Sequence, residues 1–309
     1  MYRIGIDLGG TNIAVGIVNE RHEIVAQTSV PTGAHRPAAE VVADMGNAVE
    51  SAMEKAGITA AHCASIGIGS PGTCDSEKGV VARAYNLNWF DVPVCAMMTE
   101  RFGLPCHLSN DANCAALAEA VAGAGQDCRS LVLVTLGTGV GGGIVENGRI
   151  ISGVGGTGAE IGHMVLVLDG EECTCGRKGC WEAYASATAL IRQGRRAAEK
   201  CPASLLNRHG DKLTALDVFR AADEGDATAN DVLAQYYVYL AAGITDMVNI
   251  LGPERVLIGG GISRQGERLL KPVREYVGDH CFGGRQRPLP DIRCAALGNE
   301  AGIIGAAAL

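Results

Sequence analysis

Short apolar runs with strand character open the chain. Residues 2–8 (YRIGIDL) and 13–18 (IAVGIV) flank Gly9-Gly10-Thr11-Asn12, and a third run follows near 23–30 (EIVAQTSV). The pattern predicts an antiparallel opening of three strands. Over 38–56 the period changes, with Val41, Val42, Met45, Val49 and Met53 recurring at helical spacing. ASIGIG at 64–69 predicts a buried strand ending in the turn Ser70-Pro71-Gly72. A further strand near 105–109 leads straight into an Ala-rich helix from about Asp111. Alternation of this kind is an α/β pattern. The second half starts again in the same way. A shift of 127 residues lays Gly10-Thr11 over Gly137-Thr138, and Gly16-Ile17-Val18 over Gly143-Ile144-Val145. Coincidence aside, that predicts two copies of one lobe facing across a cleft, each offering a glycine turn. Helical patterns dominate 182–248, a buried strand follows at 255–261, and an apolar helix closes the chain at 299–308.

Composition narrows the function classes. The 309 residues suffice for two lobes of roughly 150 residues each. Lys and Arg total 26 against 34 Asp and Glu, a net charge of -8, which argues against a nucleic-acid partner. Apolar runs fall short of the ~18 residues a membrane span needs, and MYRIGIDLGG reads as a strand and turn rather than a secretion signal. A cytoplasmic protein without a membrane partner is expected. Gly is the outlier at 43 residues, clustered between apolar strands where backbone must approach something closely, often a phosphate. Nine of the 12 cysteines (63, 74, 95, 106, 114, 128, 201, 281, 294) stand singly and read as small buried hydrophobes in a reducing compartment. Arg192, Arg195, Arg196 and Lys200 share helical spacing and read as a solvated face.

Four motifs carry candidate chemistry. In D-L-G-G-T-N at 7–12, adjacent glycines can aim several backbone N–H groups at one anion, Thr11 adds a hydroxyl, and Asp7 is placed to hold a divalent cation. An ordinary Gly-rich hairpin capped by Asp7 is the other reading. LGTGVGGG at 136–143 supplies a second such turn, and neither is the usual phosphate loop or dinucleotide fingerprint. Gly259-Gly260-Gly261 follows a buried strand and could admit a flat adenine. In S-N-D-A-N at 109–113, Asp111 sits where a helix N-terminus favours its ionised form, the form a base for phosphoryl transfer needs. A plain helix cap is the alternative. C-T-C-G-R-K-G-C-W-E at 173–182, with His163 ahead, offers three thiolates and one imidazole, a closed tetrahedral set for structural zinc. In G-A-E-I-G-H, Glu160 and His163 share a face if the segment is helical, and together with Glu182 they suit a polyhydroxyl ligand. Paired carboxylates also serve glycoside hydrolysis, which would leave both glycine turns without a purpose.

DLGGTN, GSPG, NDAN, LGTGVGGG, GAEIGH and CTCGRKGCWE, in this order, resemble the ROK family (repressors, open reading frames and sugar kinases), its bacterial glucokinases in particular. The likeness runs from residue 4 to about 190 and more weakly through Gly259–Gly261. It implies an α/β protein of the actin-like/hexokinase-type ATPase fold, two lobes with a cleft between them. The expected lobes are 1–115, completed by the C-terminal helix 296–309, and 116–295 with the zinc loop. By the same resemblance Asp111 is the base for a sugar 6-hydroxyl. Asn110, Glu160, His163 and Glu182, with Gly72 and Asn86 more weakly, are sugar ligands. Asp7, Gly10, Thr11, Asn12, Thr138 and Gly139 bind phosphate and metal, while Gly260 and Gly261 lie near the nucleoside. His163, Cys173, Cys175 and Cys180 match the zinc set in full. ATP, Mg²⁺ and structural Zn²⁺ are the expected cofactors, and a dimer or tetramer the expected assembly. The expected reaction is glucose to glucose 6-phosphate. Kinases for N-acetylmannosamine, N-acetylglucosamine or fructose share every motif, polyphosphate could replace ATP, and a non-catalytic sugar sensor would have lost Asp111 or a glycine turn. The family's repressors carry a DNA-binding segment ahead of the first glycine turn, and with Asp7 so near residue 1 none is expected here.

Overall fold

The computed structural model describes residues 1–309. Strands β1 (Tyr2–Leu8), β2 (Asn12–Val18) and β3 (Ile24–Pro31) form the predicted antiparallel opening. Helix α1 (Ala38–Ala56) follows over the predicted span and stops at Gly57, whose left-handed conformation caps its carbonyls. Next come β4 (Cys63–Ser70) and a small antiparallel sheet of β5 (Thr73–Asp75), β6 (Val80–Ala84) and β7 (Trp89–Val92). Helix α2 (Val94–Phe102), β8 (Cys106–Asn110) and α3 (Asp111–Ala122) complete this part. The small sheet is absent from the sequence expectation, because its three strands are too short for their alternation to register.

The first large sheet has the order β3-β2-β1-β4-β8, with β4 parallel to both β1 and β8. Its central strands are covered on both faces, which is why they read as unbroken apolar runs. On one face Ile4, Ile6, Ile13, Ile66 and Ile68 pack with Val41, Met45 and Val49 of α1. The other face receives α9 (Ala301–Ala308). A Cβ on Gly67 would lie 1.7 Å from the Ala306 carbonyl oxygen, so this helix approaches closer than any side chain would allow. Much of the glycine excess therefore serves backbone contact within the fold.

The second large sheet repeats the order. Strands β9 (Ser130–Leu136), β10 (Val140–Glu146), β11 (Arg149–Ile150), β12 (Arg255–Gly260) and β13 (Asp291–Cys294) run β11-β10-β9-β12-β13. As in the first sheet, the two edge strands that close the hairpin are antiparallel and the last pair is parallel. Between β11 and β12 lie α4 (Glu182–Ala185), α5 (Ala187–Lys200), α6 (Ala215–Asp223) and α7 (Ala227–Leu251), and α8 (Glu267–His280) follows β12. Ser186, Thr214 and Asp226 accept the N-terminal amides of α5, α6 and α7.

The chain divides into two compact units, one of residues 1–133, 143–159 and 296–309, the other of 134–142 and 160–295. The boundary expected at 115 would cut α3, a helix that stays whole in the first unit. Glu119, only 1% exposed, explains part of that cohesion: its carboxylate accepts the N–H groups of Ala124, Ala296 and Leu297 at 2.8 Å each. It thus ties α3 to the segment leading into α9. Of the nine scattered cysteines, 63, 74, 95, 114 and 281 are buried and 106, 128, 201 and 294 half-buried. No helix is long and apolar enough to cross a membrane.

Candidate functional site

In the first unit the β1–β2 turn is fastened from below. Thr32, fully buried, donates its hydroxyl to the Gly9 carbonyl at 2.7 Å and its N–H to Thr11 at 2.8 Å. Gly9 N–H closes the turn on the Asn12 carbonyl at 2.9 Å. Thr11 and Asn12 remain exposed at its tip. A Cβ on Gly10 would stand 3.3 Å from the Asn86 side-chain nitrogen, so Asn86 lies against this turn. Sequence reasoning missed Thr32, since a threonine at a strand end carries no distinguishing signal.

Asn110 and Asp111 stand where β8 becomes α3. The Asn110 oxygen accepts Ala112 N–H at 2.9 Å, and its amide donates to the Gly72 carbonyl at 3.0 Å. Gly72 has φ +86°, and a Cβ there would meet the Arg83 carbonyl oxygen at 2.1 Å, so only glycine fits. The Asp111 carboxylate also accepts Ala112 N–H, at 2.8 Å. Solvent reaches Asp111, yet enough protein surrounds it that burial raises its pKa, outweighing the hydrogen bonds from Ala112, its own backbone and Asn110. The helix N-terminus favours the ionised form through the Ala112 N–H, and desolvation acts against it. Asp7 is pushed from 3.8 to about 6, first by burial and then by the negative charge of Asp111. Two carboxylates raised by burial, one of them also by the charge of the other, form beside a glycine turn a donor set that suits a hard divalent cation such as Mg²⁺.

In the second unit the β9–β10 turn meets the cysteine loop. Val140 N–H donates to the Glu182 carboxylate at 3.0 Å. A Cβ on Gly139 would come within 2.0 Å of a Glu182 oxygen, so this glycine makes room for the carboxylate. The other Glu182 oxygen accepts the Thr174 hydroxyl at 3.3 Å. Thr138 is exposed at the tip. A Cβ on Gly162 would meet the Val140 carbonyl oxygen at 2.0 Å, which brings the segment of Glu160 and His163 against the same turn. That segment is a 3₁₀ turn, Ile161–His163, entered from Glu160. Glu160 itself has a non-helical backbone, and its carbonyl accepts the His163 N–H at 3.0 Å. Gly260 has φ +84°, and its missing Cβ is required by the Leu136 carbonyl 2.2 Å away, whereas Gly261 faces open space.

The metal-ligating atoms of His163, Cys173, Cys175 and Cys180 all lie within 4.8 Å of one another. His163 Nδ1 is 3.6 Å from Cys173 Sγ, and Cys175 Sγ is 3.7 Å from Cys180 Sγ. A zinc–sulfur distance of about 2.3 Å gives a tetrahedron with edges of about 3.8 Å, close to the two separations above, so this donor set suits zinc. Without a cation the three thiols differ: burial and the neighbouring Cys175 and Cys173 push Cys180 up to about 12. Burial raises Cys173, while the Arg177 N–H lowers Cys175. A cation at the centre would reverse that balance. The loop is held by Trp181, fully buried, which donates Nε1–H to the Tyr239 carbonyl at 2.9 Å. Gly243 of α7 has no Cβ because the indole fills its place.

Comparison with known proteins agrees with these motifs. The ROK family profile matches residues 3–309. A glucokinase of Halalkalibacterium halodurans is 38% identical over 98% of this chain and 92% of its own length. The structure of a ROK family glucokinase from Streptomyces griseus in complex with glucose and AMPPNP has a TM-score of 0.80 and 37% identity, covering 99% of this chain and 98% of that one. A ROK hexokinase from Thermus thermophilus has a TM-score of 0.84 at 34% identity, covering 100% and 97%. With matched sheets, a paired-carboxylate turn and a four-ligand loop in one chain, and relatives alike over nearly its whole length, this protein belongs to the ROK family and has the actin-like/hexokinase-type ATPase fold.

Proposed function

We propose that this protein is a sugar kinase that transfers the terminal phosphoryl group of ATP to the 6-hydroxyl of glucose, giving glucose 6-phosphate. The observation that carries the reading is the Asp7–Asp111 pair beside the Gly9–Asn12 turn. One carboxylate is free to take a proton while the other awaits a cation. Asp111 is the general base: it accepts the proton as the hydroxyl oxygen bonds to phosphorus and the ADP oxygen leaves. A carboxylate whose pKa burial has raised is a better proton acceptor than an unperturbed one. Exposed backbone N–H groups at Gly10, Thr11 and Asn12, and the matching turn at Thr138 and Gly139, bind the phosphates. Asp7 would hold Mg²⁺, which when bound offsets the charge on the phosphates.

Asn110, Glu160, His163 and Glu182 are the proposed hexose contacts, with Gly72 and Asn86 shaping the turn beside Asn110. Asn110 already spends its side chain on Ala112 and Gly72, so positioning Asp111 is its larger contribution. His163 faces Cys173 with Nδ1, which leaves Nε2 for a sugar hydroxyl. Zinc, held by His163, Cys173, Cys175 and Cys180, would keep that ring and Glu182 in place and take no part in the transfer. The likeness to glucokinases favours glucose over other hexoses. A coupled kinase assay with ATP and Mg²⁺ across hexoses and N-acetylhexosamines tests this. Glucose should give the highest kcat/KM; a preference for an N-acetylhexosamine would overturn the choice of sugar, and no turnover on any of them would overturn the kinase.

A further inference from the structure

The sequence pattern assigns Arg192, Arg195, Arg196 and Lys200 to a solvated helix face; Arg195, Arg196 and Lys200 are indeed exposed and Arg192 half-buried, and three of the four also border a cavity. Arg192, Arg196 and Lys200, each one turn beyond the last on α5, line a cavity of about 480 Å³ between α5 and α7. Arg195 turns away and donates to the Asp211 carbonyl. Tyr184, Val232 and Tyr239 add an apolar wall to the same cavity, with the two tyrosine rings 4.8 Å apart and tilted by 50°. This volume lies inside the range of about 300–1,000 Å³ common for small-molecule sites, which pair an apolar surface with a few polar groups. None of the candidate catalytic, sugar, phosphate or zinc residues lines it.

The polar groups there select for an anion. Three cations face two carboxylates, Glu171 and Asp231, in a chain whose overall charge is -8. Glu171 is paired with Arg196 and stands 3.6 Å from Arg192 Nε. Two buried atoms on the lining residues, Arg192 Nε and Gln193 Oε1, have no hydrogen-bond partner in the protein. With Glu171 and Asp231 both ionised the lining carries a net charge of about +1, so a phosphate monoester, at roughly -1.5 to -2, would compete with Glu171 for the guanidiniums. A guanidinium fork matches phosphate oxygens, and a ring on the ester would lie on the tyrosines.

Glu171 links the cavity to the metal loop. Its N–H donates to the Tyr184 hydroxyl at 2.6 Å, its carbonyl accepts Gly179 N–H at 2.8 Å, and Cys173 lies two residues on. Arg192 also donates to the carbonyl of Ala183, the neighbour of Glu182. We propose that the cavity between α5 and α7 is an effector site for a small ring-bearing phosphate monoester, and that its occupancy is transmitted through Glu171 to the loop holding Glu182. The second half of that statement rests on the sugar-kinase reading; the binding itself does not.

Isothermal titration of the zinc-loaded full chain, with glucose and AMPPNP present in excess to fill the glycine turns, tests the site with phenyl phosphate, glucose 6-phosphate and inorganic phosphate. One equivalent of a ring phosphate should bind at least ~10-fold tighter than inorganic phosphate, and both Lys200→Glu and Arg196→Gln should weaken it ~10-fold or more. Phenyl phosphate binding tighter would point to an aromatic effector, and glucose 6-phosphate to feedback by a sugar phosphate. Absence of binding by either ring phosphate, or equal affinity in both variants with zinc content intact, would overturn the site. In turnover, phenyl phosphate should shift the sugar KM of the wild type and leave that of Lys200→Glu unmoved. Binding without that shift would overturn the transmission and leave the site standing, while a chain with no kinase activity could still pass or fail the titration.

Discussion

The two glycine turns descend from the same strand–turn–strand pattern and do opposite things with their carboxylates. At Gly9–Asn12 the nearby acids, Asp7 and Asp111, are both raised by burial, and Asp7 is pushed further, to about 6, by the charge of Asp111. At Gly137–Val140 the nearby acid, Glu182, is held by Val140 N–H and the Thr174 hydroxyl beside four metal-ligating side chains. On the proposed reading the first turn gains a cation and takes a proton. Its counterpart is built to keep a side chain still. The repeated strand–turn–strand pattern supplies the scaffold, and the packing around each copy sets the surroundings of its carboxylates.

Asp111→Ala breaks the first side of this contrast and should have the largest effect. A loss in kcat of at least ~10²-fold is expected in a coupled assay, with zinc content unchanged. Near-normal turnover would remove Asp111 as the base. Cys175→Ser breaks the second side. Zinc should be lost by metal analysis and the sugar KM should rise by about 10-fold or more, because Glu182 and His163 lose their support. Retained zinc with a normal KM would show that the loop holds itself without the fourth ligand.

Titration sharpens the contrast further. Asp7 has a folded-state pKa above its unfolded value, so the folded chain binds more protons between pH 3.8 and about 6. Stability therefore falls as pH rises through that window, and the penalty, up to ~3 kcal/mol, is complete above it. A cation bound at Asp7 would remove that penalty. Mg²⁺ should raise Tm at pH 7 and lose this effect below about pH 4, and its apparent affinity should weaken as pH falls through about 6. An Mg²⁺ effect on Tm independent of pH would separate the cation from Asp7.

The smallest effects should come from the fastenings of the two turns. Gly139→Ala forces a Cβ into the Glu182 carboxylate and should raise KM for sugar more than for ATP. Thr32→Val removes the hydroxyl on Gly9 and should cost about 1 kcal/mol, read by urea unfolding, with KM for ATP rising only a few-fold. The opposite ranking of the two substrates in either variant would argue against the division of labour between the turns.

Much of this was legible in the sequence because it is local. The helix at 38–56 and the strands around both glycine turns follow from apolar period alone. Cys173, Cys175 and Cys180 were readable as ligands because they fall within one loop, and His163 because it precedes them closely. Thr32, Glu119 and Trp181 were not readable. Each acts on backbone far away in the chain, and nothing in its own neighbourhood sets it apart from an ordinary strand-end, helix or loop residue.

By itself, the sequence determined which segments are strand and helix, that one strand–turn–strand unit occurs twice, and which side chains could hold zinc. Only tertiary packing decided that Asp7 feels Asp111, that Glu182 rests on Gly139, and that three of the cations of α5 border a cavity against α7. Periodicity reports which face of an element is apolar. The charge and contacts that face acquires depend on residues brought from elsewhere in the chain, through desolvation and close approach, and no spacing within the element encodes them.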